Sequence, residues 1–150
     1  MGRGVFEVAL AWWARESQLR PLAHVSGVED LREAKGRGKG VILLSAHFTS
    51  LEMGGRLLGF QTPFHVVYRS NENPMTEYLL KRNRQKHSDM AIDKRNIKQM
   101  VRSLRSGNAV WYAPDQDMIA REPLFAPFMG IMAATNTATS RLAKISHAPV

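Results

Sequence analysis

Short hydrophobic runs recur along this chain, and patterns typical of helices separate them. The run at 40–45 (GVILLS) is β-branched and shows no alternation of polar and apolar residues, and the runs at 63–68 (PFHVVY) and 109–113 (AVWYA) are similar. Continuously apolar strands are typical of a parallel sheet that is covered on both faces. The pattern therefore predicts an α/β fold with a largely parallel central sheet flanked by helices on both faces.

Helical spacing, caps and breakers set the remaining elements of the predicted fold. A fourth short strand is expected at 90–92, an extended stretch at 123–130 and the start of a further strand at 149–150. We expect helices at 4–19, 28–34, 49–58, 74–86, 96–105 and 135–145. The 150 residues fit a single domain, and because the sequence stops where a strand begins, we expect a fragment of a longer chain.

The composition of the chain limits the kinds of partner and of chemistry that are possible, but it does not select one partner. The chain has 21 Lys and Arg against 13 Asp and Glu, a net charge of +8 that attracts nucleic acid, phospholipid headgroups or an acidic carrier protein. It has no cysteine, which excludes disulfides, a thiol nucleophile and a zinc–thiolate site. No apolar run approaches the ~18 residues of a membrane-spanning helix. The segment 5–13, with Trp12 and Trp13, suits either an interfacial helix or a helix that packs its aromatic face on the core.

His47 follows the strand at 40–45, and Glu52 comes five residues later. Within one helix this spacing would separate the two side chains by about 140°, so they can meet only if His47 precedes the helix. A carboxylate that hydrogen-bonds one imidazole nitrogen fixes the tautomer and leaves the other nitrogen free to accept a proton from a hydroxyl. The pair is thus a candidate base with its orienting carboxylate, although this spacing also arises by chance.

Four blocks in order carry a resemblance over nearly the whole chain. They are VILLSAHFTSLEMGG, VVYRSNENP, VWYAPDQD, and FAPFMG followed by AATNTATSRLAKIS. Together they resemble the lauroyl/myristoyl (late) acyltransferases of lipid A biosynthesis, within the lysophospholipid acyltransferase superfamily and its H-x4-D/E motif. The resemblance implies a glycerolipid-acyltransferase-like core at 1–150, lacking the N-terminal membrane anchor and the C-terminal part.

The resemblance also implies roles for individual residues. His47 would be the catalytic base and Glu52 its partner carboxylate, while Arg69 would bind the acceptor near its phosphate, a task that suits a planar guanidinium. Asp115 and Asp117, in the loop after the strand at 109–113, would be substrate-binding residues, with turn-capping as the simpler alternative for two aspartates in a loop.

The implied reaction moves a fatty acyl group from an acyl carrier protein thioester to a hydroxyl of a lipid A precursor. It needs no metal and no cofactor beyond that thioester, and the implied location is the cytoplasmic face of a bacterial inner membrane, against an anionic membrane surface. The basic segment around Lys94, Arg95, Lys98, Arg102 and Arg105 is either a solvated face or a docking surface for the carrier protein or for lipid A phosphates. Two alternatives remain open: the same chemistry on a glycerophospholipid or glycolipid, and a basic nucleic-acid- or membrane-binding module without catalysis. The leading interpretation involves no nucleic acid.

Overall fold

Four short parallel strands form the central sheet of the protein. The computed structural model describes residues 2–116 and 124–150. The strands are β1 (Val41–Leu44), β2 (His65–Tyr68), β3 (Met90–Asp93) and β4 (Ala109–Tyr112). Their order is β1-β4-β2-β3, so β4 returns to lie between the first two strands and pairs with both. The predicted α/β fold with a parallel sheet is confirmed.

Seven α-helices lie within the described ranges. They are α1 (Gly2–Trp13), α2 (Glu16–Leu19), α3 (Val28–Gly36), α4 (Leu51–Leu58), α5 (Pro74–Gln85), α6 (Ile97–Arg105) and α7 (Ala138–Ser146). Local sequence fixes several starts: the Asn73 side chain accepts backbone N–H groups at the start of α5, and Asn96 does the same for α6. Asn73 stands directly before the helix predicted at 74–86, and Asn96 is the first residue of the helix predicted at 96–105.

Side chains on the two faces of the sheet pack against different helices, because neighbouring residues of a strand point in opposite directions. Ile42, Ile92 and Val110 belong to the main core, together with residues of α6 and α7. On the other face, Trp111 packs against Phe64 and lies beside the glycines of α4. Helix α1 then covers α4 from outside.

The first predicted helix is broken in the structure. Arg15 takes an extended backbone conformation (φ −69°, ψ 146°), which ends α1 and begins α2. The Gln18 side chain accepts the Arg15 backbone N–H at 3.0 Å and so stabilises the new start. The prediction of one helix over 4–19 was wrong because a local cap competes with continued helix.

Helix α1 keeps a wide apolar face exposed, formed by Val5, Phe6, Leu10 and Trp13. Trp12 instead turns towards the protein, where its indole N–H donates to Glu52 at 3.2 Å. The sequence left two alternatives for segment 5–13, an interfacial helix or a helix whose aromatic face packs on the protein. Only Trp12 packs in this way, while Phe6 and Trp13 are exposed.

A β-hairpin replaces the single extended stretch expected at 123–130. Strand β5 (Leu124–Phe128) pairs antiparallel with β6 (Ile131–Thr135), and Met129 and Gly130 form the turn with φ of 49° and 82°. The sequence signal for β6 is weak because Met-Gly is not the usual Asn-Gly hairpin turn and IMAAT contains no polar alternation. Helix α7 accordingly begins at Ala138 rather than at 135.

The last residues lie along the sheet. The Pro149 carbonyl accepts the Ile42 backbone N–H at 2.9 Å, on the edge of β1 that faces away from β4. Over residues 2–116 and 124–150, no helix combines the length and the apolar character that crossing a bilayer requires.

Candidate active site

His47 and Asp115 meet at the carboxyl edge of the sheet. His47 follows β1, and Asp115 follows β4, the strand paired with β1. The Asp115 carboxylate lies 2.6 Å from His47 Nδ1 through Oδ1, and its Oδ2 accepts the His47 backbone N–H at 2.8 Å. Strand pairing thus joins two residues that are 68 positions apart in sequence.

The electrostatics of this pair fix the histidine tautomer. The His47 backbone N–H, followed by its ring N–H, holds the pKa of the Asp115 carboxyl below its usual range. An ionised carboxylate can only accept hydrogen bonds, so Nδ1 carries the ring proton and Nε2 of the neutral ring is free to accept one. The two side chains are 43% and 36% exposed, so the pair is open to an incoming substrate.

Glu52 has other partners. It accepts hydrogen bonds from Arg84 Nε at 3.0 Å, from Arg84 Nη2, and from the Trp12 indole N–H. The expected hydrogen bond between Glu52 and His47 is therefore not the one in the structure, where Asp115 takes that place. The physical reason is that the guanidinium of Arg84 is a permanent charge and binds a carboxylate more strongly than a neutral imidazole does.

A cavity of about 660 Å³ connects these groups. His47, Glu52 and Arg84 line it, and so does Arg69, an exposed side chain directly after β2. Asp115 does not line the cavity, but it is hydrogen-bonded to His47, which does. Asp117, the remaining predicted site residue, lies outside the described residues.

The cavity reaches both faces of the sheet. Val66 and Val67 are consecutive residues of β2 and both line it, as do Trp111 and Tyr112 of β4. Because consecutive strand residues point to opposite faces, the cavity wraps around the carboxyl edge where His47 lies. We call its two parts the α4–α5 lobe and the α6–α7 lobe.

The two lobes have different walls. The α4–α5 lobe is lined by Trp12, Gly55, Phe64, Val66, Trp111 and the Glu52–Arg84 pair, and the α6–α7 lobe by Val67, Met100, Tyr112, Leu142 and Ile145. Met100 and Leu142 are only 1% and 4% exposed, so core side chains already fill the base of the second lobe.

Basic side chains surround the site. Arg95, from the predicted basic segment, lines the cavity and forms an ion pair with Asp93 at 3.0 Å. Lys98, Arg102 and Arg105 of α6 are exposed, and Arg105 also donates to the Ile145 carbonyl at 2.8 Å.

Sequence reasoning missed two residues of this site. Arg84 is one of several cations in LLKRNRQ, and Trp12 lies 40 residues before the glutamate that it contacts. Neither has a local signal, because both reach the site only through the packing of α1 and α5 around α4.

A parallel α/β sheet with a cavity and an imidazole–carboxylate pair at its carboxyl edge is the arrangement of an α/β enzyme. More narrowly, the chain belongs to the bacterial lipid A biosynthesis acyltransferase family, whose sequence profile matches residues 1–150. The family predicted from the four sequence blocks is confirmed.

Individual relatives agree with this assignment. The chain is 35% identical to the lipid A biosynthesis lauroyltransferase of Escherichia coli (strain K12), covering 99% of this chain and 49% of that protein. It is 34% identical to the lipid A biosynthesis palmitoleoyltransferase of the same organism, with the same coverage. A lipid A biosynthesis acyltransferase of Haemophilus influenzae is 31% identical over 98% of this chain and 47% of that protein. The chain spans about half the length of these relatives.

Proposed function

We propose that the protein transfers a fatty acyl group from an acyl carrier protein thioester to a hydroxyl of a lipid A precursor, with His47 as the base. The observation that carries the proposal is the His47–Asp115 pair, in a chain that belongs to this family. The hydrogen bond to Asp115 keeps a proton on Nδ1 of His47 and leaves Nε2 available as a proton acceptor beside the cavity.

The proposed reaction begins at Nε2 of His47. This nitrogen takes the proton of the acceptor hydroxyl while the oxygen attacks the thioester carbonyl, and Asp115 stabilises the imidazolium that forms. The new C–O bond makes the ester, the C–S bond breaks, and the imidazolium returns its proton to the departing thiolate. Atoms and charges balance without a metal or a further cofactor.

Glu52 has a different role in this proposal from the one its spacing suggested. Because it binds Arg84 along one edge of the guanidinium, it holds that cation at the cavity wall and leaves Nη1 available. We infer that Arg84 donates hydrogen bonds to an oxygen of the bound substrate, with Glu52 as its positioning residue.

Arg69 is the proposed contact for the acceptor phosphate. It is exposed at the cavity edge and makes no hydrogen bond or ion pair with the other described residues, so its donors are available. Planar donor geometry suits phosphate oxygens. Asp117 stays a prediction as a substrate-binding residue.

Charge and exposed apolar surface support the proposed partners and location. The net charge of +8, with the exposed Lys98 and Arg102 on α6, favours an acidic carrier protein and an anionic membrane surface. The exposed face of α1 carries Phe6 and Trp13, residues typical of a helix lying in a membrane interface. We propose that the protein acts at the cytoplasmic face of a bacterial inner membrane.

The test is a transfer assay with acyl–acyl carrier protein as donor and a lipid A precursor in detergent micelles as acceptor, with products identified by mass spectrometry. The wild-type protein should form the acylated lipid, and His47→Ala should lower the rate by at least about a hundredfold. The matched control is His24→Ala, because His24 is exposed and does not line the cavity. Unchanged turnover by His47→Ala would refute the base assignment, and transfer to glycerophospholipids alone would refute the acceptor assignment.

A further inference from the structure

Two adjacent glycines lie in the middle of α4, a helix of eight residues. Glycine is the least favourable residue in a helix interior after proline, so a pair of them in so short a helix needs a structural reason. Gly54 and Gly55 both lie close to the indole ring of Trp111.

The two glycines differ in how closely they approach this ring. A Cβ atom at position 55 would lie 3.2 Å from Cζ3 of Trp111, whereas one at position 54 would lie 3.5 Å from Cη2, an ordinary van der Waals distance. Gly55 also lines the cavity, and Gly54 does not. The absent side chain at position 55 therefore lets Trp111 lie directly against α4 and keeps space in the α4–α5 lobe.

Trp111 also contacts Phe64. Its ring centroid lies 5.3 Å from that of Phe64, which is buried. The indole thus contacts both α4 and Phe64, and a group added at position 55 must either displace the ring or occupy the lobe itself.

The surface that this lobe offers to a ligand is mainly apolar. Glu52 is already bonded to Arg84 and Trp12, and Arg56 contacts His87 Nδ1 at 2.6 Å. The atoms here that lack a partner, such as Arg56 Nε and His87 Nε2, are fully buried and out of reach of a ligand. Arg84 Nη1 is the donor that stays available in this lobe, and Trp12, Phe64, Val66 and Trp111 form its apolar walls, which favours a ligand with a polar end and a hydrocarbon chain.

The lobe also leads away from the reacting groups. Leu51, Glu52 and Gly55 lie on one face of α4 and line the cavity in turn, over about 6 Å of helix. The α6–α7 lobe is a poorer candidate because Met100 and Leu142 of the core close its base.

We propose that the α4–α5 lobe takes the hydrocarbon chain of the acyl group and that Trp111, lying against Gly55, sets the length of chain accepted. The inference rests on the proposed acyl transfer. Gly55 and Trp111 are specificity-determining residues of that reaction, and neither needs to touch the reacting atoms.

The experiment compares Gly55→Ala with Gly54→Ala, which makes the same change one residue away in the same helix. Each purified protein is given a series of saturated donors from octanoyl to palmitoyl, and transfer rates are measured for each length. Binding of the same chains as acyl-pantetheine thioesters is measured by isothermal titration, which needs no turnover.

Gly55→Ala should shift the preferred chain to a shorter length, while Gly54→Ala should keep the wild-type profile. Each methylene that the lobe no longer holds should weaken binding of the longest chains about fourfold. Trp111→Phe should shift the preference to longer chains, and it tests the proposal independently if Gly55→Ala does not fold.

Identical length profiles for the two glycine variants, together with an unchanged profile for Trp111→Phe, would overturn the inference. An equal loss at every length would also overturn it, because it indicates damage to the reaction centre rather than to a chain site. Length-dependent binding without any transfer would uphold the chain site and refute the proposed function.

Discussion

Replacing Asp115 with Asn changes the charge of the site and keeps its shape. The amide oxygen can still accept a hydrogen bond from the His47 backbone N–H, but the amide nitrogen cannot accept one from Nδ1–H. The imidazole then loses both its orienting acceptor and the charge that stabilises the imidazolium. We expect a lower kcat and a nearly unchanged KM, because Asp115 does not line the cavity.

The geometry sets the size of this effect. A hydrogen bond to a charged group contributes about 1.5–3 kcal/mol, or about 10- to 150-fold in rate. In a buried Ser-His-Asp triad the same change costs about 10⁴-fold. The His47–Asp115 pair is 43% and 36% exposed, so solvent weakens it and we expect a loss of about a hundredfold.

The assay is steady-state transfer from acyl–acyl carrier protein, with Asp30→Asn on the exposed surface of α3 as the control. The lowered pKa of Asp115 adds a pH criterion. A carboxylate of this kind is ionised above its unfolded pKa of about 3.9 and loses its charge only in stronger acid, so the charge that Asp115→Asn removes is present in the wild type from about pH 6 to 9, and the loss of rate should be found throughout that range. A kcat within twofold of wild type would refute the orienting role.

Three further predictions concern stability, each measured by equilibrium denaturation. Glu52→Gln should lower the free energy of unfolding by about 1–3 kcal/mol, because it leaves the partly buried Arg84 cation poorly compensated, and an unchanged value would mean that the pair contributes nothing. Gly40→Ala should lower the free energy of unfolding by about 1–3 kcal/mol, since a Cβ there would lie 2.2 Å from the Asn108 backbone oxygen. Gly36→Ala is the control, because the space around Gly36 is open, and it should be neutral or stabilising. Equal effects of the two substitutions would contradict this reasoning. Burial lowers the pKa of His65, so the unfolded chain binds its proton at higher pH than the folded protein does. The contribution of His65 to stability should therefore fall as pH drops below about 6.5, by at most about 1.4 kcal/mol per unit, and His65→Gln should remove that contribution from the slope.

Local pattern was sufficient for most of the sheet. The strands at 41–44, 65–68, 90–93 and 109–112 each carry a hydrophobic run of the right length between helical segments, so their type and direction follow from sequence. The hairpin strand at 131–135 has no such pattern. Its side chains are largely exposed, so packing against a core does not require apolar residues at particular positions.

The sequence predicted part of the candidate site, without Arg84 and Trp12, but it did not predict the contacts between its residues. His47 and Asp115 were both expected at the carboxyl edge, each at the end of a strand. Their pairing depends on β4 lying directly beside β1, and sequence does not reveal strand order. Spacing therefore favoured the nearer carboxylate, Glu52, whose actual partner, Arg84, comes from α5 through tertiary packing.

The most direct test of the central claim is ¹⁵N NMR of the His47 ring in the wild-type protein, Asp115→Asn and Glu52→Gln. In spectra recorded at a pH where the ring is neutral, we predict that the proton lies on Nδ1 in the wild type and in Glu52→Gln and shifts towards Nε2 in Asp115→Asn. A tautomer that changes in Glu52→Gln and persists in Asp115→Asn would contradict the assignment of Asp115 as the partner of the base.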